Sequence, residues 1–415
     1  MINYEKKVLD NGLTVLFNRD RVSALAAVNI LYKVGARDER EERTGFAHLF
    51  EHLMFRGTEA FPSYDVAVQM AIGENNAFTN NDYTDFYITL PAINIERAFE
   101  IEADRMRGLK ITDEMLDAEK RVVVEEYKQR YLNQPYGDHL MLLRDMCYKE
   151  HPYRWATIGL SPEHILSATM EEVRSFYDNF YRPSNAILSI SANVESEQIF
   201  ALAERWFSGV EDRPLDRQII PAEREQPSAR RVEVERNVPS TCITIAFRMG
   251  SRTSGDFYHA DMISDILAGG DSGRLYQRLV KQQQLVASTN AYITGEVDPG
   301  LFIFTIQLLP DTSIEEGEAA IWAEIESLKR DLIGEYELDK VKNKFEANTT
   351  FGEINVMNKA MNLGFYEMLG DLPLINQEVE IYRSITAEQL REFATGYFTR
   401  ERSNTLIYKA KEQND

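Results

Sequence analysis

The sequence is poor in the features that usually settle a protein's class first. Only two cysteines stand in 415 residues, Cys147 and Cys242, and neither lies in a Cys-x-x-Cys. That count gives no disulfide framework and suits a reducing compartment, with both thiols expected as small buried hydrophobes. No apolar run is long enough to span a bilayer, and the opening Met1-Ile-Asn-Tyr-Glu-Lys-Lys has no apolar signal-peptide core, so the expected location is the cytoplasm. Basic residues are outnumbered 46 to 67, for a net charge of −21. This argues against nucleic acid or an anionic membrane surface as a partner and is compatible with basic peptides. The stretch Gly269-Gly-Asp-Ser-Gly273 lacks the Gly-Lys-Ser/Thr ending of a phosphate loop, so a turn is expected there. Histidine is scarce too, six in all, and two of them fall in one decapeptide.

That decapeptide, residues 46–55, reads Phe-Ala-His-Leu-Phe-Glu-His-Leu-Met-Phe. On a helix, His48 and His52 share a face one turn apart, and Glu51 projects beside both. Two neutral imidazoles at that spacing can grip a zinc ion, and an adjacent carboxylate can take a proton from metal-bound water. The order His-x-x-Glu-His inverts the commoner zinc helix. Chance alone would produce it in roughly one sequence of this composition in a hundred. The plainer alternative is a helix with two surface histidines and a glutamate. Against it, the other seven positions are apolar, which describes a buried helix. Buried imidazoles and a buried carboxylate need a partner, and a metal supplies one.

The length exceeds one ordinary core, and the 44% apolar content describes a folded globular protein. Two halves resemble each other. Ser167-Ala-Thr-Met-Glu-Glu-Val-Arg-Ser-Phe is echoed by Ser384-Ile-Thr-Ala-Glu-Gln-Leu-Arg-Glu-Phe, 217 residues later, and Ser184-Asn185 by Ser403-Asn404 at 219. Ile30-Leu-Tyr-Lys-Val-Gly35 is echoed by Ile245-Ala-Phe-Arg-Met-Gly250 at 215. Agreement on one offset indicates two copies of one fold. The expected division is an N-terminal zinc-binding domain at 1–212, a linker at 213–230 and a C-terminal copy without the metal motif at 231–415. Strands are expected at 13–17, 26–34, 83–90 and 186–194, and a long helix at 114–131. Strands mixed with helices without regular βα alternation favour an α+β fold, each copy a mostly antiparallel or mixed sheet with helices packed on one face.

Catalytic zinc needs a third protein ligand. The helix at 114–131 places Glu119, Val122 or Val123, and Glu126 on one face, yet spacing alone does not choose between Glu125 and Glu126. His139, His151, His164 and His259 show no ligand spacing and are expected to be structural. Asn75-Asn76-Ala77-Phe78-Thr79 reads, by residue type alone, as a polar turn before a strand.

His48-Leu-Phe-Glu51-His52-Leu-Met-Phe-Arg-Gly-Thr, with a glutamate about 75 residues on, resembles the pitrilysin/insulinase family of zinc metallopeptidases, whose smaller members include the mitochondrial processing peptidase and bacterial relatives. The similarity extends over the chain through Asn11-Gly12-Leu-Thr-Val, Gly73-Glu-Asn-Asn-Ala-Phe-Thr, His151-Pro-Tyr-Arg-Trp-Ala-Thr-Ile-Gly and Tyr181-Arg-Pro-Ser-Asn-Ala. The resemblance implies one zinc per chain on His48, His52 and Glu126, with Glu119 supporting the ligands. It implies that Glu51 activates the zinc-bound water for peptide hydrolysis. It also implies an edge strand that binds peptide backbone through Asn76, Ala77 and Phe78.

One departure stands out. Active members carry an Arg and a Tyr seven apart in the second half, where this sequence has Val280 and Ala287. The expectation is therefore an endopeptidase whose chamber is closed by two chains, preferably a heterodimer with a paralogue that supplies the pair. The alternative is a non-catalytic core subunit of the kind found in respiratory complexes, which the intact motif disfavours.

Overall fold

The computed structural model describes residues 1–411 and holds two β-sheets. The first has the order β1-β2-β6-β3-β5-β4, with β1 Glu5–Val8, β2 Thr14–Arg19, β3 Leu25–Tyr32, β4 Glu74–Thr79, β5 Thr84–Pro91 and β6 Ala186–Ala192. The second has the order β7-β11-β8-β10-β9, with β7 Arg230–Arg236, β8 Cys242–Arg248, β9 Val286–Ile293, β10 Leu301–Leu308 and β11 Asn404–Ala410. In each sheet one neighbouring pair is parallel, β2 with β6 and β7 with β11, and the remaining pairs are antiparallel. Strand for strand, β7-β11-β8-β10-β9 reproduces β2-β6-β3-β5-β4, so the repeat in the sequence is a repeat of whole sheets. Central strands are mostly apolar because both faces are covered, and β6 is buried along its full length, Ser189 and Ser191 included. The mixed α/β architecture in two copies is the expected fold class.

The four expected strands fall within two residues of β2, β3, β5 and β6 at each end. The helix expected at 114–131 runs Asp113–Tyr127 and closes in a π-helical turn, Lys128–Leu132. The segment that residue type alone assigns to a turn is the edge strand β4. Between Phe207 and Arg230 there is no helix or strand. No helix among the described residues is long and apolar enough to cross a membrane.

The compact units do not follow the contiguous spans 1–212 and 231–415. One comprises Met1–Lys128, Trp155–Pro221 and Thr349–Gln377; the other comprises Gln129–Arg154, Ala222–Asn348 and the chain from Glu378 on. Each unit takes a helix from the other half of the sequence. In the second unit His139–Cys147 lies on β8 and β11, and in the first Val356–Met368 lies on β2, β3 and β6. Their first residues are 217 apart, the offset of the repeat, so the exchange is itself duplicated. Surface complementarity decides where each helix is buried. Leu143, Met146 and Cys147 meet Ala246, Leu301, Ile303 and Leu406 in an apolar cluster. Val356 and Ala360 meet Ala27, and Gly364 lets the other helix approach polar side chains, for a Cβ there would sit 3.0 Å from Ser189 Oγ.

At the second unit's counterpart of the metal motif, the helix Gly255–Ala268 carries Ile263, Ile266 and Leu267, all fully buried in that unit's core.

Candidate metal centre

The motif lies on the helix Phe46–Leu53, which begins at Gly45. Gly45 has φ +89°, and a Cβ on it would lie 2.7 Å from the Ile158 carbonyl oxygen, so this entry requires glycine. A glycine has no side chain to cap the first turn. Glu39 does so from outside: its Oε2 accepts from Gly45 N and its Oε1 from Ala47 N, each at 2.8 Å. Burial pushes the Glu39 carboxyl up to about 8, against the pull of those two N–H groups. Phe46, Ala47, Leu49, Phe50 and Leu53 are buried, and Phe50 packs on the rings of Phe176 at 5.1 Å and Tyr181 at 5.3 Å. His48 is buried, while Glu51 and His52 are half-buried on the face left open.

The second element is the helix Asp113–Tyr127, whose Thr112 side chain accepts from Met115 N. Leu116, Glu119, Val123 and Tyr127 are on its buried side, whereas Val122 is exposed. Glu125 points outward and pairs with Lys128 at 2.7 Å. The choice left open by spacing is thus resolved geometrically, because Glu126 is the carboxylate that meets the histidines. Its Oε2 lies 3.6 Å from His48 Nε2 and 3.4 Å from His52 Nε2.

Ligand atoms of His48, His52 and Glu126 all lie within 4.8 Å of one another, and no other such group of three or more occurs among the described residues. Tetrahedral zinc with bonds near 2.1 Å places its donors about 3.4 Å apart, so these residues fit the ion. The two imidazoles stand nearly perpendicular, at 84°, with ring centroids 4.8 Å apart. Glu119 approaches His52 Nδ1 at 3.4 Å and is also paired with Arg56. A carboxylate on Nδ1 turns Nε2 toward Glu126.

Glu51 sits beside this group. Burial raises its pKa, while hydrogen bonding from Thr79 and the nearby His52 pull it back. Thr79 is the last residue of β4, whose outer edge faces away from β5. Asn76 is exposed there, with Ala77 and Phe78 half-buried. A cavity of about 540 Å³ opens next to the group, lined by Glu51, His52, Phe55, Arg56, Met115 and Glu119 among others.

No role at the site is expected from the sequence for Arg56, Thr79 or Glu39. Arg56 stands four residues past His52, a helical spacing that could have flagged it, whereas Glu39 reaches the metal helix only through backbone N–H groups and leaves no signature. The other histidines bond within their own units: His139 to Thr244, His151 to Asp298 and His164 to Thr44. His259 lies against Phe393. In the second unit, Val280 is half-buried at its core and Ala287 is exposed on β9.

Comparison with known proteins follows the same lines. The zinc protease PqqE of Helicobacter pylori is 27% identical over 414 residues, covering 98% of this chain and 93% of that protein. The crystal structure of a protease from Helicobacter pylori matches with a TM-score of 0.92 at 27% identity, over 99% of this chain and 100% of that one. The periplasmic protease PqqL of Escherichia coli shares the fold at 16% identity and a TM-score of 0.79, over 99% of this chain and 48% of PqqL. Family models match the insulinase (peptidase family M16) domain at residues 14–154 and the peptidase M16 inactive domain at 167–345, together well over half of the sequence. The chain belongs to the M16, or pitrilysin/insulinase, family of zinc metallopeptidases.

Proposed function

We propose that the protein is a zinc-dependent endopeptidase acting on peptides or unfolded segments. The observation that carries this reading is the convergence of His48, His52 and Glu126 with a further carboxylate, Glu51, on the same helix face. Zinc held there supplies a Lewis acid, polarising a peptide carbonyl and making water more acidic. Glu126 brings the negative charge of the donor set, and Glu119 fixes the tautomer and direction of His52. Arg56 offsets the charge of Glu119, which is only 4% exposed. Glu51 takes a proton from the attacking water and returns it to the leaving amide nitrogen, a role that its burial-raised pKa suits. Asn76, Ala77 and Phe78 on β4 would hold substrate as an added strand, with Thr79 tying that strand to Glu51.

The active assembly in this reading pairs two chains around a chamber, preferably this chain with a paralogue that carries the missing Arg and Tyr. A solved chain about twice this length, PqqL, matches over just under half of itself, which supports pairing of two such lengths of chain. The second reading, a non-catalytic core subunit, draws on Val280 and Ala287 and on the match to an inactive-domain model at 167–345. Metal analysis separates the two. Purified protein should carry close to one zinc per chain, lost in His52→Ala, and should digest unstructured peptides when its partner is present. Protein without bound metal in any preparation would leave the structural role standing.

A further inference from the structure

We propose that Glu39 is a positioning residue of the metal centre. By clasping the first turn of Phe46–Leu53, it sets the direction in which His48 presents its ring. This inference rests on the zinc reading above.

The helix has eight residues, so it is too short to hold itself together in water. Its first-turn N–H groups have no partner within the helix, and Gly45 has no side chain to offer. Both oxygens of Glu39 are committed to this end, one to Gly45 and one to Ala47, the residue before His48. Glu39 touches neither imidazole. The turn that carries it is tied down: Ala36 N and Arg37 N donate to the carbonyls of Asn80 and Asn81 at 3.1 and 2.9 Å, and Ala36 O accepts from Trp155 Nε1 at 2.9 Å and from Glu39 N at 3.3 Å. Asn80 and Asn81 form the turn that joins β4 to β5, so the clasp references His48 to the strand that carries Asn76 and Ala77. Behind the clasp lies a cavity of about 430 Å³ with Glu39, Arg43, Phe46 and Phe176 in its wall. That space gives the first turn room to shift once Glu39 lets go, with the contact of Phe46 and Phe176 at 5.8 Å as the restraint left there. Zinc–ligand distances tolerate only about 0.2 Å of error, so a small swing of that turn takes His48 Nε2 out of range.

The test uses the full chain in three forms: wild type, Glu39→Gln, which keeps the shape and one acceptor, and Glu39→Ala, which keeps neither. Zinc affinity is measured against a chromophoric chelator, and the visible spectrum is recorded with cobalt in place of zinc. Affinity should fall about 10–100-fold in Glu39→Gln and further in Glu39→Ala, with a changed cobalt band, at temperatures where the melting curve shows both variants folded. A purely structural residue would lower the melting temperature and leave affinity and band alone, and that result overturns the inference. Hydrogen exchange on the metal-free wild type gives a check that needs no variant. The Gly45 and Ala47 amides should be protected well beyond those of a frayed helix end, and unprotected amides there would also sink the idea. Wild-type protein with no affinity for zinc would instead bring down the metal centre itself, an outcome plainly different from either.

Discussion

At the scale of single residues, Glu51 and Glu126 are carboxylates near the same imidazole, yet replacing them should have opposite signatures. Glu126 supplies a donor atom within 3.4 Å of His52 Nε2, so Glu126→Gln should lower zinc affinity. Glu119 touches only the far nitrogen of His52, so Glu119→Gln should lower it less, about 10-fold or somewhat more. Glu51 is outside the donor set, and Glu51→Gln should keep a full complement of zinc while turnover falls about 100–10,000-fold with the loss of the general base. Chelator titration and peptide digestion on the three variants check the set. Loss of zinc from Glu51→Gln, or full zinc in Glu126→Gln, would mean the roles are exchanged.

At the scale of elements, much of the first unit could be read directly. Alternation marks β5, whose inward residues repeat every second position, whereas β2, β3 and β6 are short apolar and β-branched runs buried on both faces. β4 could not be found that way: Glu74-Asn-Asn-Ala-Phe-Thr has the composition of a turn, and it is a strand because β5 offers it a backbone ladder. The neighbours Glu125 and Glu126 differ by one step around a helix, which only packing resolves. The helix exchange is equally invisible, since the apolar face of His139–Cys147 suits a sheet whose strands lie about a hundred residues further on and beyond. That helix also yields a pH prediction. His139 Nε2 pairs with Thr244 Oγ1 at 2.7 Å, and burial lowers the imidazole pKa below its ordinary 6.5. In the window just below pH 6.5 the unfolded chain therefore binds a proton that the folded chain refuses. The contribution to stability is complete above pH 6.5 and is lost as pH falls through the lowered folded value. Melting temperatures at about pH 7.5 and about pH 5.5 should differ more for wild type than for His139→Gln, which keeps a polar group toward Thr244 without the titration. Equal differences would show that His139 carries no such linkage.

At the scale of the whole molecule, the question is what one chain can do alone. Its metal group is complete in the first unit, while the two positions that the family resemblance associates with holding the substrate carbonyl are Val280 and Ala287. Neither side chain has a donor to offer a developing oxyanion. Oxyanion donors elsewhere contribute about 3–4 kcal/mol each to a transition state, so a pair of identical chains would lack most of the stabilisation that such a pair of residues gives. The partner we propose is therefore a paralogue that has the Arg and Tyr, whether or not it keeps a zinc motif of its own. Alone, this chain should hold zinc and turn over peptides slowly. Mixed with the paralogue, it should speed up by a large factor, and its own Glu51→Gln should abolish the gain. The double substitution Val280→Arg with Ala287→Tyr should raise the activity of the single chain part of the way. Ala287 is exposed, whereas Val280 is half-buried against the second unit's core, so the melting temperature must be followed alongside. Full activity of the purified single chain, indifferent to any paralogue and to the double substitution, would end the case for a split site and leave the metal centre untouched.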